Sequence, residues 1–283
     1  SCLMEPVMQS TLERPTTSAS WLATSSAKAT ALNAKASADY AVKLAETQQL
    51  LQHAAAEFRP LTQASSLGAE DVVITHLIHA LQLDIPVFVL DTGALHTETL
   101  ALLERTQAHA RVPVHVYRPT HESVIQFVRE RGQDAMYQSI DLRKACCSIR
   151  KMEPLARALS GQQAWITGLR KEQSDARAEV PLHDISETHT SSVRTGGSPS
   201  AGLHKFNPLS KWTWGDVWHY IAENQVDYNP LHDQFFPSIG CAPRPPANSL
   251  CALRCCSLAA KTRWSCSSAL RKLLVQADCP TRS

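Results

Sequence analysis

Between residues 61 and 167 two kinds of apolar pattern alternate, and that alternation constrains the fold more than any other feature of the chain. Short apolar segments at 62–66, 86–90, 112–117 and 164–167 are interleaved with helically spaced segments at 71–81, 96–107, 122–131 and 151–159. A run such as Val87-Phe88-Val89-Leu90 suits a strand buried on both faces. Strands joined through helices can pair in parallel, because each crossover carries the chain back to the same end of the sheet. The sequence therefore predicts an α/β domain, with a mostly parallel sheet flanked by helices and ligands bound beyond the carboxyl ends of the strands. Three further expectations follow. Leu32, Tyr40, Leu44, Leu51 and Ala55 predict one amphipathic helix over 29–58, the Ser, Thr and Gly of 183–203 predict a mobile loop, and 212–222 reads as a helix.

With 43% hydrophobic and 19% charged residues, the composition excludes a disordered or collagen-like chain. Lys and Arg number 28 against 26 Asp and Glu, so no global field recruits nucleic acid or an anionic membrane, and any anion site must be built locally. No apolar run of about 18 residues occurs and no basic-then-apolar leader opens the chain, so the expectation is a cytoplasmic protein. Residues 1–28, rich in Ser, Thr and Ala, read as a disordered lead. Nine cysteines are the unusual feature, and five of them fall at or beyond Cys251. An odd, clustered set fits metal or redox chemistry in a reducing compartment better than a disulfide framework.

Four segments offer chemistry. Ser65-Ser66-Leu67-Gly68-Ala69-Glu70-Asp71 lies between a strand and a helix, where hydroxyls and backbone N–H groups either cap the helix or hold an anion; it is not a Walker loop. Leu90-Asp91-Thr92-Gly93 ends a strand and suits either a turn or hydrogen bonds to a sugar or base. The adjacent pair Cys146-Cys147, with Lys144, Arg150 and Lys151 nearby and Cys241 later, suits an iron–sulfur or nucleotide-linked redox site, unless these are unrelated thiols. Gly168-Leu169-Arg170-Lys171 ends another strand, where guanidinium groups pair naturally with phosphate or sulfate, or simply face solvent. His76, His96 and His232 show no metal-ligand spacing and read as turn or core residues.

In order, the segments SSLGAEDVVITH (65–76), FVLDTGALHTETL (88–100), RKACCSIRKMEPL (143–155), WITGLRKEQSDAR (165–177), KFNPLSKWTWGDVWHYI (205–221) and YNPLHDQFFPSIGCAP (228–243) resemble the assimilatory sulfonucleotide reductases, specifically the cluster-containing bacterial adenylyl-sulfate (APS) reductases. The resemblance spans roughly residues 30–243 and implies a sulfonucleotide reductase domain over 29–243. Its implied fold is the adenine-nucleotide alpha-hydrolase-like, Rossmann-like α/β fold. Its implied reaction is reduction of APS to sulfite and AMP, with thioredoxin or glutaredoxin as electron donor and a C-terminal cysteine in a Glu-Cys-Gly-Leu-His segment as nucleophile. It implies Ser65, Ser66, Gly68 and Glu70 in the nucleotide loop, Leu90, Asp91, Thr92 and Gly93 around the adenosine, and Gly168 and Arg170 on the ligand side of the sheet. Lys151 is implied beside both cluster and substrate, with Cys146, Cys147 and Cys241 as three of four ligands to a 4Fe-4S cluster. The cysteine pair and the Gly68–Asp71 loop favour APS over its 3′-phosphorylated relative PAPS, and relatives of this kind are often homo-oligomers.

The resemblance stops inside a motif. The family continues Cys-x-x-Cys, whereas Cys241-Ala242-Pro243 is followed here by Arg244, and the Glu-Cys-Gly-Leu-His segment is absent. Loss of likeness at one residue, followed by a Ser-, Cys- and Arg-rich tail without a single Glu, is what a shift of reading frame produces over 244–283. If the tail is instead native, Cys251, Cys255 or Cys256 supplies the fourth ligand and Cys279 stands in as nucleophile. Two other classes compete: an ATP-pyrophosphatase-type ligase, which requires a Ser-Gly-Gly-x-Asp-Ser-like loop not seen here, and a non-catalytic nucleotide-binding remnant.

Overall fold

A computed structural model describes residues 28–173, 180–186 and 202–242. The lead, the tail from Pro243 onward, and with them Arg244, Cys251, Cys255, Cys256 and Cys279, lie outside the described residues.

Six strands form one sheet in the order β3-β2-β1-β4-β6-β5: β1 Leu61–Ser65, β2 Val87–Leu90, β3 Val114–Tyr117, β4 Ala164–Ile166, β5 His183–Ser186 and β6 Leu203–Phe206. All pair in parallel except the edge strand β5, which runs antiparallel to β6. The expected loop over 183–203 thus begins and ends in strands. Its hydroxyl- and glycine-rich composition hid an antiparallel strand pair in which His183 stacks on Phe206, with ring centroids 4.4 Å apart. From β1 the chain winds outward through β2 to β3, then returns to place β4 on the other side of β1. The order therefore reverses between β1 and β4, which opens a crevice at their carboxyl ends.

The two faces of the sheet are covered differently. Alternation puts Leu61, Val89, Ala164, Ile166 and Phe206 on one face, where they join the main core with residues of α2 (Tyr40–Glu57), α3 (Ala69–Ala80), α4 (Thr97–His109) and α9 (Trp214–Glu223). Helix α3 forms because Val72, Val73, Ile74, Leu77 and Ile78 make an apolar stripe that is buried in full, each such side chain contributing about 1.5–3 kcal/mol. The second face carries Thr62, Ala64, Phe88, Trp165 and Lys205. Helix α8 (Glu153–Leu159) covers it on the β2–β3 side, and the face opens toward β4 and β6.

The helix expected over 29–58 is two: α1 (Ala29–Asn33) and α2, separated at 34–39. No Pro or Gly marks this break, because it is imposed from a distance. Lys35 N donates to the Gly215 carbonyl at 3.2 Å and Ser37 N to Asp216 Oδ1 at 2.7 Å. Asp216 also receives Lys43 Nζ at 3.2 Å and completes a capping box with Thr213 at the start of α9. Gly215 is required by this approach, since a Cβ there would run into the Lys35 backbone. Before α8 lie α5 (His121–Arg131), then α6 (Ala135–Gln138) and α7 (Ile140–Cys147), and one wide π-helical turn, Ser148–Met152.

Candidate active site

A cleft of about 440 Å³ occupies the crevice at the strand-order reversal and extends over the open part of the second sheet face. Ser65 and Ser66 from the end of β1, Leu90 from β2, and Thr167 and Gly168 from the end of β4 form its mouth, with Glu70 and Asp71 in the first turn of α3. Lys151 reaches in from the π-helical turn, and Ile239, Gly240 and Cys241 close one side. The structure thus brings together Ser65, Ser66, Glu70, Leu90, Lys151, Gly168 and Cys241 in one cleft.

The loop after β1 is internally satisfied. Ser66 N and Ser66 Oγ both donate to Asp71 Oδ2, at 2.7 and 2.6 Å, and Leu67 N donates to Ser65 Oγ at 3.2 Å. Leu67 holds a left-handed backbone (φ 60°) while its side chain is buried, so the turn is pinned from below. Gly68 is the N-cap of α3, and a Cβ there would sit 3.3 Å from Ser66 Oγ. At Gly168 there is no room at all: a Cβ would lie 2.9 Å from Glu70 Cβ and closer still to the Asp71 carboxylate. Burial pushes the Asp71 carboxyl up to about 6, against the opposing pull of its Ser66 donors.

Arg170 was expected to face the ligand, but it does not line the cleft. It is buried behind the α3 turn, donating to Glu70 Oε1 at 2.9 Å and Glu172 Oε2 at 3.1 Å with its guanidinium 5.4 Å from the Trp214 ring centroid. Gln173 adds a second donor to Glu70 at 3.1 Å. Two carboxylates balance the buried cation, as a charge out of water requires. Its visible work is to hold Glu70.

The segment after β2 divides similarly. Leu90 lines the cleft, whereas Asp91, Thr92 and Gly93 do not. Asp91 closes the turn by accepting from Gly93 N at 2.9 Å and pairs with Arg118 at 2.8 Å. Gly93, at φ 70°, supplies the left-handed residue that this turn needs. Thr92 Oγ1 lies 3.3 Å from Cys241 Sγ, and the Thr92 carbonyl accepts from Arg150 Nη1 at 2.6 Å.

Cys146 and Cys147 end α7, Cys146 buried and Cys147 half-buried. The Arg150 guanidinium hydrogen-bonds the Cys146 thiol, and Cys241 stands within electrostatic reach of it; burial nevertheless pushes this thiol above its ordinary value. The 92–94 loop anchors Cys241 through Ala242 N to the Ala94 carbonyl at 2.7 Å. Among the described residues, however, no group of three or more His, Cys, Asp and Glu side chains is arranged to hold a metal ion. Three thiols without a fourth do not meet the four-thiolate requirement of a 4Fe-4S cluster, so the described residues do not fit that group on their own.

Sequence reasoning missed Trp165, Lys205, Leu155 and Asp71 as cleft residues. Lys205 Nζ sits 5.2 Å from the Trp165 ring centroid because β4 and β6 set the two residues side by side. That register is not readable from a sequence in which they stand 40 apart. Asp71 had a readable signal, since an acid six residues after Ser65 can reach back over a tight turn, but it reads equally as an ordinary helix-start acid.

No helix among the described residues is long and apolar enough to cross a membrane. Residues 60–247 match the phosphoadenosine phosphosulfate reductase domain family. The chain is 44% identical over 195 residues to an adenosine 5′-phosphosulfate reductase of Allochromatium vinosum, covering 69% of this chain and 72% of that protein. It is 40% identical to one of Burkholderia cepacia, covering 77% and 81%. Among solved structures, phosphoadenylyl-sulfate reductase from Candida auris, in a phosphate complex, superposes with a TM-score of 0.56 at 29% identity, over 69% of this chain and 87% of that one. Candida glabrata FMN adenylyltransferase, at 11% identity and a TM-score of 0.51 over 75% of this chain and 69% of that one, shares the fold alone. With its sheet order, its crevice and this match across more than half its length, the chain belongs to the phosphoadenosine phosphosulfate reductase family.

Proposed function

We propose that this chain reduces APS to sulfite and AMP in sulfate assimilation, with a dithiol protein of the thioredoxin or glutaredoxin kind as electron donor. The observation that carries the reading is the cleft itself, in which the Ser65–Glu70 loop, Gly168, Lys151 and Cys241 meet at the strand-order reversal. The names of its relatives in Allochromatium vinosum and Burkholderia cepacia favour APS as the substrate.

The nucleotide lies along Leu90, Gly168 and the Ser65–Ser66 loop, with its phosphosulfate toward Lys151. A thiolate attacks the sulfate sulfur, forming an S–S bond. The S–O bond to the nucleotide breaks, and AMP departs with the electron pair on its phosphate oxygen. Lys151, the cleft cation nearest the cysteines in sequence, meets that developing charge. A donor thiolate then attacks the enzyme sulfur, releasing sulfite and leaving a mixed disulfide that the second donor thiol resolves, so that one dithiol is oxidised per sulfite formed. No cysteine of the described residues is assigned as this nucleophile; if the tail after Pro243 is native rather than frame-shifted, Cys279 stands in as the attacking thiol. A 4Fe-4S cluster would draw on Cys146, Cys147 and Cys241 together with one thiolate beyond Ala242, and none of these steps runs through it. We place the reaction in the cytoplasm, on the absence of an apolar span or secretory leader in the sequence, and in a homo-oligomer, as the family resemblance implies.

The test is sulfite release by the full chain with reduced thioredoxin, comparing APS with PAPS. Faster turnover of APS supports the reading; faster turnover of PAPS overturns it in favour of the 3′-phosphorylated substrate.

A further inference from the structure

Asp71 opens α3, yet its carboxylate is not spent on the N–H groups of its own helix. Oδ2 accepts from the backbone N–H and the hydroxyl of Ser66, at 2.7 and 2.6 Å, and the Gly168 backbone packs so close to the same carboxylate that a Cβ there would collide with Oδ1, leaving its N–H within electrostatic reach of the carboxylate. Ser66 and Gly168 are the two lips of the crevice, one following β1 and the other β4. The Asp71 backbone is held in turn, its carbonyl accepting from Gln63 Nε2 and Thr75 Oγ1, both at 2.9 Å. One side chain therefore spans the mouth of the cleft from a rigid mount.

We propose that Asp71 is a positioning residue for the sulfonucleotide, its carboxylate clamping the Ser66 and Gly168 lips at the separation that the nucleotide requires. This inference rests on the reading of the cleft as the sulfonucleotide site.

The charges around the clamp are accounted for. On its own helix Glu70 is paired with Arg170 and accepts a hydrogen bond from Gln173, and Arg170 shares its charge with Glu172 from the segment after β4. From the remaining walls of the cleft, Lys151 and Lys205 are the facing cations. An ionised carboxylate accepts several donors at once, whereas a protonated one gives up part of that capacity. The clamp is thus intact above the titration of Asp71, near 6, and loosens as the pH falls through it. Because burial favours the protonated form, acidification at this group leaves the fold in place and acts on binding.

The experiment is titration of the full chain with AMP, by calorimetry or by the fluorescence of the cleft tryptophan, between about pH 5 and about pH 7.5, for the native chain and Asp71→Asn. AMP is expected to bind Asp71→Asn about tenfold more weakly at the upper pH, and within about twofold of the native chain at the lower pH. The ionisation of the AMP phosphate is common to both proteins and cancels in the ratio. A ratio that stays constant across the range, or equal affinities throughout, overturns the clamp while leaving the sulfonucleotide reading intact. If the native chain binds no AMP at any pH, that reading fails, and the inference with it. Should Asp71→Asn not fold, Ser66→Ala carries the same test from the other side of the bond: its ratio to the native chain must narrow on acidification, and a constant ratio overturns the proposal.

Discussion

Gly168→Ala adds one methyl group at the place where β4 meets the start of α3. The new carbon would stand 2.9 Å from Glu70 Cβ and closer still to the Asp71 carboxylate. Neither neighbour can swing aside freely: Glu70 is fixed by Arg170 at 2.9 Å, and Asp71 by Ser66 at 2.6 and 2.7 Å. Overpacking of a site that cannot relax costs about 1–3 kcal/mol. In a domain of this size each kcal/mol lowers Tm by about 2–4 °C, so thermal unfolding should move down by several degrees. The strain is relieved by parting the β1 and β4 lips, which bear on the ligand. AMP affinity should therefore fall by about tenfold or more, tenfold being about 1.4 kcal/mol. Calorimetric unfolding and AMP titration measure the two effects. A variant that keeps its Tm within about 1 °C and its AMP affinity within about twofold would refute the argument that a close backbone approach builds the mouth of the cleft.

Other perturbations probe separate parts of the account. Lys151→Ala should raise KM for APS by about tenfold or more through loss of a charge-assisted contact, and unchanged steady-state kinetics would remove Lys151 from the mechanism. Asp216 is fully buried, and although burial alone would raise its carboxyl, the backbone N–H groups of Ser37 and Thr213 and the Lys43 ammonium hold it at about 2, below the ordinary 3.8. A depressed carboxyl contributes stability above its unfolded value and loses it as the pH falls through the folded one. About 2–3 kcal/mol should accordingly disappear between roughly pH 4 and pH 2, and denaturant unfolding of Asp216→Asn should show a shallower acid loss than the native chain. Iron analysis of anaerobically purified chain should give fewer than four irons, since Arg244 stands where the family resemblance implies the fourth cysteine ligand. Four irons and a brown colour would show that a cysteine beyond Ala242 completes the set.

Much of the framework was readable because its signals are local. Val87 to Leu90 form a strand in any context that can bury them, and the apolar stripe of α3 needs no partner to be recognised. The gap between α1 and α2 was unreadable for the opposite reason: it is set by Gly215 and Asp216, nearly 180 residues away. The β5–β6 pairing was hidden because the rings that stack across it are His183, His204 and Phe206, among residues that otherwise suggest a loop. At the site, the turn after β1, Gly168, Lys151 and Cys241 were legible as motifs. The pairing of Arg170 with Glu70 and Glu172 was not, because a cation in a strand-end motif reads the same whether it faces a ligand or a buried carboxylate. Lys205 and Trp165 enter the cleft only through strand register.

The most direct measurement is the yield of sulfite and AMP from APS incubated with the full chain and reduced thioredoxin. The account predicts the two products in equal amounts, one dithiol oxidised per sulfite, and slower release from PAPS. A chain that binds AMP in the cleft yet forms no sulfite from APS would contradict it.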